Sequence, residues 1–430
     1  MKRIFLLCVI APILLCPNRG GAKVYIDIGS PIFRPFPIAV TGFEPLSATS
    51  KDLAESMNKV LTNDLSISGI FEIIEAENFP QWQSQQQLSE EDYRKWLETG
   101  AEAMVWGTIL EDGGRINVHF SFLDLIERNL TTGRYSGSAG IIRKIVHRMG
   151  NEIIRQITGE KGVLETRIAY LSKKTGNKEI HAVDFDGHNV EQITTNGSIN
   201  LSAAWSPDGR TIAFTSFKKR NPDLYFIDVG TKKQELFLGV EGLNAAPAWS
   251  PDGRKLALMM RKGESSEIFV INRDGSNLVR LTYTNYNEAS PTWSPDGKKL
   301  AFVADRTGGP QIYVMDLSSK KTSRLTYNGS YNASPDWSPR GDRIAYCGRL
   351  ERRFDIFTIR VDGSENLILT SEAGNNQDPV WSPDGRYIAF SSNRKGNSHV
   401  FVINANGTNQ RQLTRHKGGE TQPSWSPRME

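Results

Sequence analysis

Five residues, Trp-Ser-Pro-Asp-Gly, begin at Trp205, Trp249, Trp293 and Trp381. Two variants complete the series: Trp337 opens Trp-Ser-Pro-Arg-Gly and Trp425 opens Trp-Ser-Pro-Arg-Met. Each Trp stands 44 residues after the one before it. A phrase returning at a constant distance without insertion marks a repeat architecture, and this restricts the fold more than any other feature of the chain.

The rest of the unit keeps the same period. An apolar triplet follows each full phrase (Ile212-Ala213-Phe214 is the first), a second run recurs at Leu224, Ile268, Ile312, Ile356 and Val400, and a third anchor at Phe237, Leu281, Leu325, Leu369 and Leu413. These runs are short, β-branched or aromatic, and bounded by Gly, Asp, Asn or Pro, which is the pattern of strands. With the segment carrying the Trp, each unit holds four strands, one propeller blade. One period before Trp205 lies Lys161 with no phrase, yet Ile168-Ala169-Tyr170, Ile180 and Ile193 fall on the other three series. The first unit lacks its Trp strand and the last, residues 421–427, is only a Trp strand. Ring closure by the C-terminal strand gives six complete blades and no open edge, whereas an open solenoid leaves that strand unpaired.

The phrase itself reads as structural. Pro ends the strand, Pro-Asp presets a tight turn, and Gly supplies the positive φ of the return. The indole suits the space between neighbouring blades.

Residues 1–22 read as a cleaved secretory signal: Lys2 and Arg3, an apolar run over 4–15, and Gly20-Gly21-Ala22 as the cleavage site. The run is too short to span a membrane. A lipoprotein reading around Cys16 is weakened by Leu15, where a small residue is wanted. Cleavage removes Cys8 and Cys16, leaving Cys347 as a buried thiol with no intramolecular disulfide. It also removes Lys2, Arg3 and Arg19, lowering the formal charge from +4 to +1, so a nucleic-acid partner loses its support.

Residues 23–160 follow another grammar. Val24, Ile26 and Ile28 alternate with polar neighbours in an extended tail, and the prolines of 30–37 make a linker, so that 23–37 stands apart. Ile38-Ala39-Val40 reads as a buried strand. Thr49 to Asp52 has capping-box spacing, with Leu53, Met57, Val60, Leu61 and Leu65 at helical intervals behind it. Further strands are expected at 71–74, 104–109, 115–125 and 129–135, a helix at 90–98, and a closing helix marked by Ile141, Ile145, Met149, Ile153 and Ile157. The expected architecture has two domains: a small N-terminal α/β domain, then an all-β six-bladed propeller over residues 161–430.

No nucleophile elbow, phosphate loop or metalloprotease motif occurs, and the six histidines are scattered in sequence with no metal-ligand spacing. His181 and His188, in one blade, read as surface residues. The sequence therefore points to no catalytic residue, cofactor or metal, and to function on a surface. Counting five back from each Trp gives Asn200, Asn244, Glu288, Asn332, Asn376 and Glu420, a polar ring expected at the mouth of the central channel. Loops between second and third strands, expected on the same face, carry fourteen basic residues against seven acidic ones. Two readings of that surplus stand: attraction of an acidic partner, and ordinary solvated loop tips.

Thr158-Gly159-Glu160-Lys161-Gly162 leading into Thr166-Arg167-Ile168-Ala169-Tyr170 resembles the junction of the TolB family, the periplasmic components of the Tol–Pal system of Gram-negative envelopes. The resemblance covers the whole chain, in the order signal, α/β domain, propeller. It implies a binding protein without catalysis, located in the periplasm and without a membrane span. In the family the channel mouth docks the lipoprotein Pal and the mature N-terminus contacts TolA. Positions just ahead of the phrase that match the Pal contact include Leu243, Asn244, Ala246 and Ala289, and the tail corresponds to Lys23, Val24, Tyr25, Ile26, Asp27 and Ile28. The role implied is a scaffold for envelope integrity and outer-membrane constriction during cell division. The alternative is an exported propeller hydrolase, or the substrate-gating propeller of a peptidase, which requires a catalytic cluster the sequence does not display.

Overall fold

A computed structural model describes residues 34–81, 88–261, 263–371 and 374–428. The signal, the 23–28 tail, Lys262 and the last two residues lie outside the described residues.

The N-terminal part forms one five-stranded sheet in the order β2-β1-β3-β4-β5. These strands are β1 (Phe36–Pro45), β2 (Phe71–Ile73), β3 (Ala103–Asp112), β4 (Arg115–Asp124) and β5 (Asn129–Ser138). β1 pairs in parallel with β2 and β3, and β3, β4 and β5 form an antiparallel meander. Helices α1 (Lys51–Ile67) and α3 (Ile142–Thr158) bury Met57, Leu61, Leu65, Ile145, Met149 and Ile153 against Val105, Ile109, Phe120 and Phe122. The short α2 (Glu90–Glu98) places Trp96 with Ala39, Met104 and Leu123 in a separate cluster. The capping box falls on α2, where Ser89 and Asp92 exchange hydrogen bonds, and not at 49–52. α1 starts without a side-chain cap, because the Ser50 hydroxyl accepts the Glu111 N–H of β3 instead.

Residues 167–425 build six four-stranded sheets, each with its Trp strand at one edge. Blade one is closed as expected: Thr421–Trp425 pairs antiparallel with Arg167–Ser172. The Arg167 N–H donates to Ser426 Oγ at 2.9 Å, and Trp425 Nε1 to Thr166 Oγ1 at 2.9 Å. Blades two to six open with Asn200–Trp205, Asn244–Trp249, Glu288–Trp293, Asn332–Trp337 and Asn376–Trp381.

Each of the four Trp-Ser-Pro-Asp-Gly phrases is sealed within itself. In blade two Ser206 Oγ donates to Asp208 Oδ1 at 2.5 Å and accepts the Thr211 N–H at 3.0 Å, while Gly209 takes φ 69°. Each indole packs between blades: Trp205 joins Leu171, Ile180 and Ile193 of blade one to Ile212 and Phe214 of blade two. Truncation of one such Trp to Ala costs about 3–5 kcal/mol.

Three residues before every Trp the backbone turns left-handed at a non-glycine residue, with φ between 50° and 54° at Ser202, Ala246, Ser290, Ser334, Asp378 and Gln422. Pairing shifts register at this point in each blade. The bulge turns these residues onto the wall of the central channel.

The N-terminal part rests on the turns at the phrase end of blades one and six. Tyr387 Oη donates to the Ser68 carbonyl at 2.7 Å, and Asn409 Nδ2 to the Ile67 carbonyl at 3.4 Å. One apolar cluster runs continuously from Leu61 and Ile154 into Phe185, Tyr387 and Trp425. The opposite end of the ring is left free among the described residues.

Candidate functional site

The free face is built from loops between second and third strands and from the crossings that lead each fourth strand into the next blade's first strand. The six polar residues five before each Trp open the first strands at this end, yet none projects: all are 0–2 % exposed. They are turned into the ring as clasps between blades, which corrects the expected exposed rim.

The Asp355 carboxylate, at the start of the third strand of blade five, accepts from Thr370 Oγ1 at 2.9 Å and Asn376 Nδ2 at 3.0 Å. Gln311 accepts from Thr326 and Asn332, both at 2.8 Å, and Glu179 from Thr194 and Asn200. Closing the ring, His399 Nδ1 lies 2.6 Å from Glu420 Oε2. Glu288 meets Arg306, and burial raises its carboxyl, a shift that Thr282 and Arg306 oppose and Glu267 adds to. Asn244 is held by the carbonyls of Val240 and Gly242, because Leu238 stands where other blades have Thr. A buried polar group needs a partner, and for Asn200, Asn332, Asn376 and Glu420 that partner comes from the neighbouring blade. The signal was present in sequence: Glu179, Asp223, Glu267, Gln311, Asp355 and His399 also recur every 44 residues. A polar residue locked in period on an apolar strand marks a buried node.

Leu243, Ala246 and Ala289 are half-buried, and Ala246 lies on the channel wall. The channel encloses about 430 Å³. Two carboxylates line it. Burial pushes Asp336 up to about 7 against the Trp381 N–H it accepts at 2.7 Å, and burial likewise raises Asp378.

The clasps also sharpen the charge of the face. Four of the seven loop acids (Glu179, Asp223, Glu267 and Asp355) are buried, while Lys173, Lys218, Arg220, Arg349 and Arg352 remain exposed.

One histidine expectation changes and another is met. His181 is 4 % exposed and stacks on Tyr170 with centroids 5.8 Å apart, so it is a core residue, whereas His188 is exposed. His147, remote in sequence from any partner, meets Asp64 at 2.6 Å and Asp186 at 3.7 Å where the two domains join. Three potential metal ligands thus converge. Arg143 already pairs with Asp186, and a guanidinium there opposes a second cation, so the cluster is an ion-pair latch between domains. Cys347 is buried, as expected, and burial raises its thiol.

The sequence model of the TolB beta propeller domain matches residues 154–429, and that of the TolB amino-terminal domain matches residues 24–131. The chain belongs to the TolB family. Its curated relatives include the Tol-Pal system protein TolB of Desulfosudis oleivorans, 38% identical over 210 residues. That of Syntrophotalea carbinolica is 37% identical over 203 residues. These matches cover 47% and 46% of this chain, and the chain spans about half the length of each relative, 48% and 47%. The crystal structure of TolB from Acinetobacter baumannii superposes with a TM-score of 0.82 at 25% identity, over 92% of this chain and 97% of that one. The relatives are named as system components and not as enzymes. No described helix is long and apolar enough to cross a membrane.

Proposed function

We propose that this TolB-family chain is a periplasmic scaffold of the Tol–Pal system. It docks the outer-membrane lipoprotein Pal on the free propeller face and inner-membrane TolA through the tail at residues 23–28. In that role it supports envelope integrity and outer-membrane constriction during division. The observation that carries the reading is the polarity of the ring: one end is covered by the N-terminal domain, and the other is open, basic and pierced by the channel. Polar clasps fix that open end, so its loops form a preorganised docking platform. The alternating apolar residues of the tail suit strand addition to a partner sheet. No catalytic step is assigned to it.

Co-purification of the tagged mature protein from envelope extract tests both arms. Capture of Pal and TolA together or in separate pools supports the proposal, and removal of residues 23–28 should abolish TolA capture alone. Undiminished TolA capture after that deletion overturns the tail assignment.

A further inference from the structure

A repeat protein carries its own controls, because a residue that four of six blades do without is not required by the blade. The six crossings on the free face do the same structural work, yet two differ from the rest. The crossing at residues 282–288 holds Tyr283 and Tyr286, and that at 326–332 holds Tyr327 and Tyr331. The other four contain no Phe, Trp or Tyr. Tyr283 is 74 % exposed and Tyr327 71 %, so neither fills a core.

Both rings are supported in the same way. Arg280 lies 4.7 Å over the Tyr283 ring and Arg324 4.8 Å over the Tyr327 ring. The Arg–Tyr spacing of three residues occurs at this register in these two blades alone, the others having Gln192, Leu236, Ile368 and Gln412 where Arg stands. Stacking on a guanidinium holds an exposed ring as a flat platform and lowers the ordering cost of contact. Beside this pair, Tyr331 packs edge-on against Phe354 at 5.3 Å, with Arg349 5.9 Å over the Phe354 ring. Tyrosine and arginine are the residues in which binding energy concentrates at protein interfaces.

The charge of this sector selects the occupant. Three of its acids, Glu267, Glu288 and Asp355, are withdrawn at 0 % exposure within the clasps, while Glu264 and Glu351 stand at loop tips among the exposed Arg261, Arg349 and Arg352. Among the described residues no carboxylate lies at ion-pair distance from Arg324 or Arg349. We infer that the Tyr283–Tyr327 sector is the energetic centre of the docking face, and that it grips an acidic protein surface whose carboxylates meet Arg324 and Arg349. The inference rests on the reading of the free face as a docking face, and it assigns the work to one third of the ring.

The test uses the full mature chain and the soluble domain of Pal as probe, titrated at two salt concentrations. Tyr283→Ala and Tyr327→Ala should each weaken binding about 10- to 100-fold. Arg324→Glu should slow association and flatten its salt dependence. Thr195→Ala and Arg415→Ala, at the tyrosine register in other crossings, should change affinity less than about 3-fold, the scale of a contact at the edge of an interface. Thermal unfolding of the tyrosine variants should match wild type, since the rings are exposed. If wild type binds Pal and both tyrosine variants bind equally well, this inference is overturned while the docking reading stands. If wild type does not bind, the docking reading fails and takes the inference with it.

Discussion

Thr326 offers the sharpest probe of how the ring is held together. It is 0 % exposed, its hydroxyl donates to Gln311 Oε1 at 2.8 Å, and it accepts the Ile312 N–H at 2.9 Å. Thr326→Val keeps the shape and opens no cavity, so only polar terms change. One hydrogen bond contributes a net of about 1 kcal/mol, and a buried N–H left without a partner costs about 1–3 kcal/mol, giving about 2–4 kcal/mol in total. For a unit of this size that corresponds to a fall in Tm of roughly 5–15 °C. The assay is urea unfolding followed by Trp fluorescence, with a thermal melt by circular dichroism. Thr370→Val, at the same register in the next blade, should cost as much. A change within about 0.5 kcal/mol, ordinary for surface substitutions, would refute the clasp as a determinant of stability.

Other outcomes follow from the same geometry. His147 is buried, which alone lowers its pKa, but its hydrogen bond to Asp64 and the carboxylates of Asp64 and Asp186 outweigh burial and raise it. The latch therefore stabilises fully below about pH 6.5, the unfolded value, and its contribution is lost as pH rises through the raised one. Urea midpoints at pH 6 and 8.5 should differ in wild type and converge in His147→Gln, and an unchanged difference would exclude the latch as its source. Asp336, raised to about 7 by burial, contributes stability that falls as pH climbs from about 4 to 7. Asp336→Asn should remove that slope from a pH series of melts. Asn244→Arg should lower Tm by several degrees, because Asn244 is 1 % exposed and bonded to its own crossing. An unaltered Tm would show that the side chain is free after all.

Much of this was legible in the sequence because the repeat is a ruler. The period located all six Trp strands, and the absent first copy and surplus last one predicted the pairing of Thr421–Trp425 with Arg167–Ser172. The helices over 51–67 and 142–158 followed from their apolar spacing, and the expected helix at 90–98 is present as well. The direction of side chains at the free end was harder to read. Asn200 and its equivalents stand at the right level but turn inward, and Asn200, Asn332, Asn376 and Glu420 each pair with a residue 21 positions earlier on the neighbouring blade. Alternation along one strand carries no trace of that partner, although the matching period at Glu179 and Asp355 does. The latch had no marker at all. Asp64 and His147 are 83 residues apart, and only the packing of α1 on α3 brings them together. Ala246 is singled out only through the family resemblance, and nothing in its sequence context announces the φ of 52° that turns it onto the channel wall.

That residue supplies the most direct test of the docking face. Ala246→Arg adds a long charged side chain at the channel without touching a clasp, and the left-handed backbone there already bears a Cβ. Calorimetric titration of soluble Pal into the purified mature protein should show binding that Ala246→Arg weakens by about 10-fold or more, as at an interface hot spot, with Tm unchanged. Equal affinity of wild type and Ala246→Arg for Pal would contradict the claim that the open end of the propeller is the docking face.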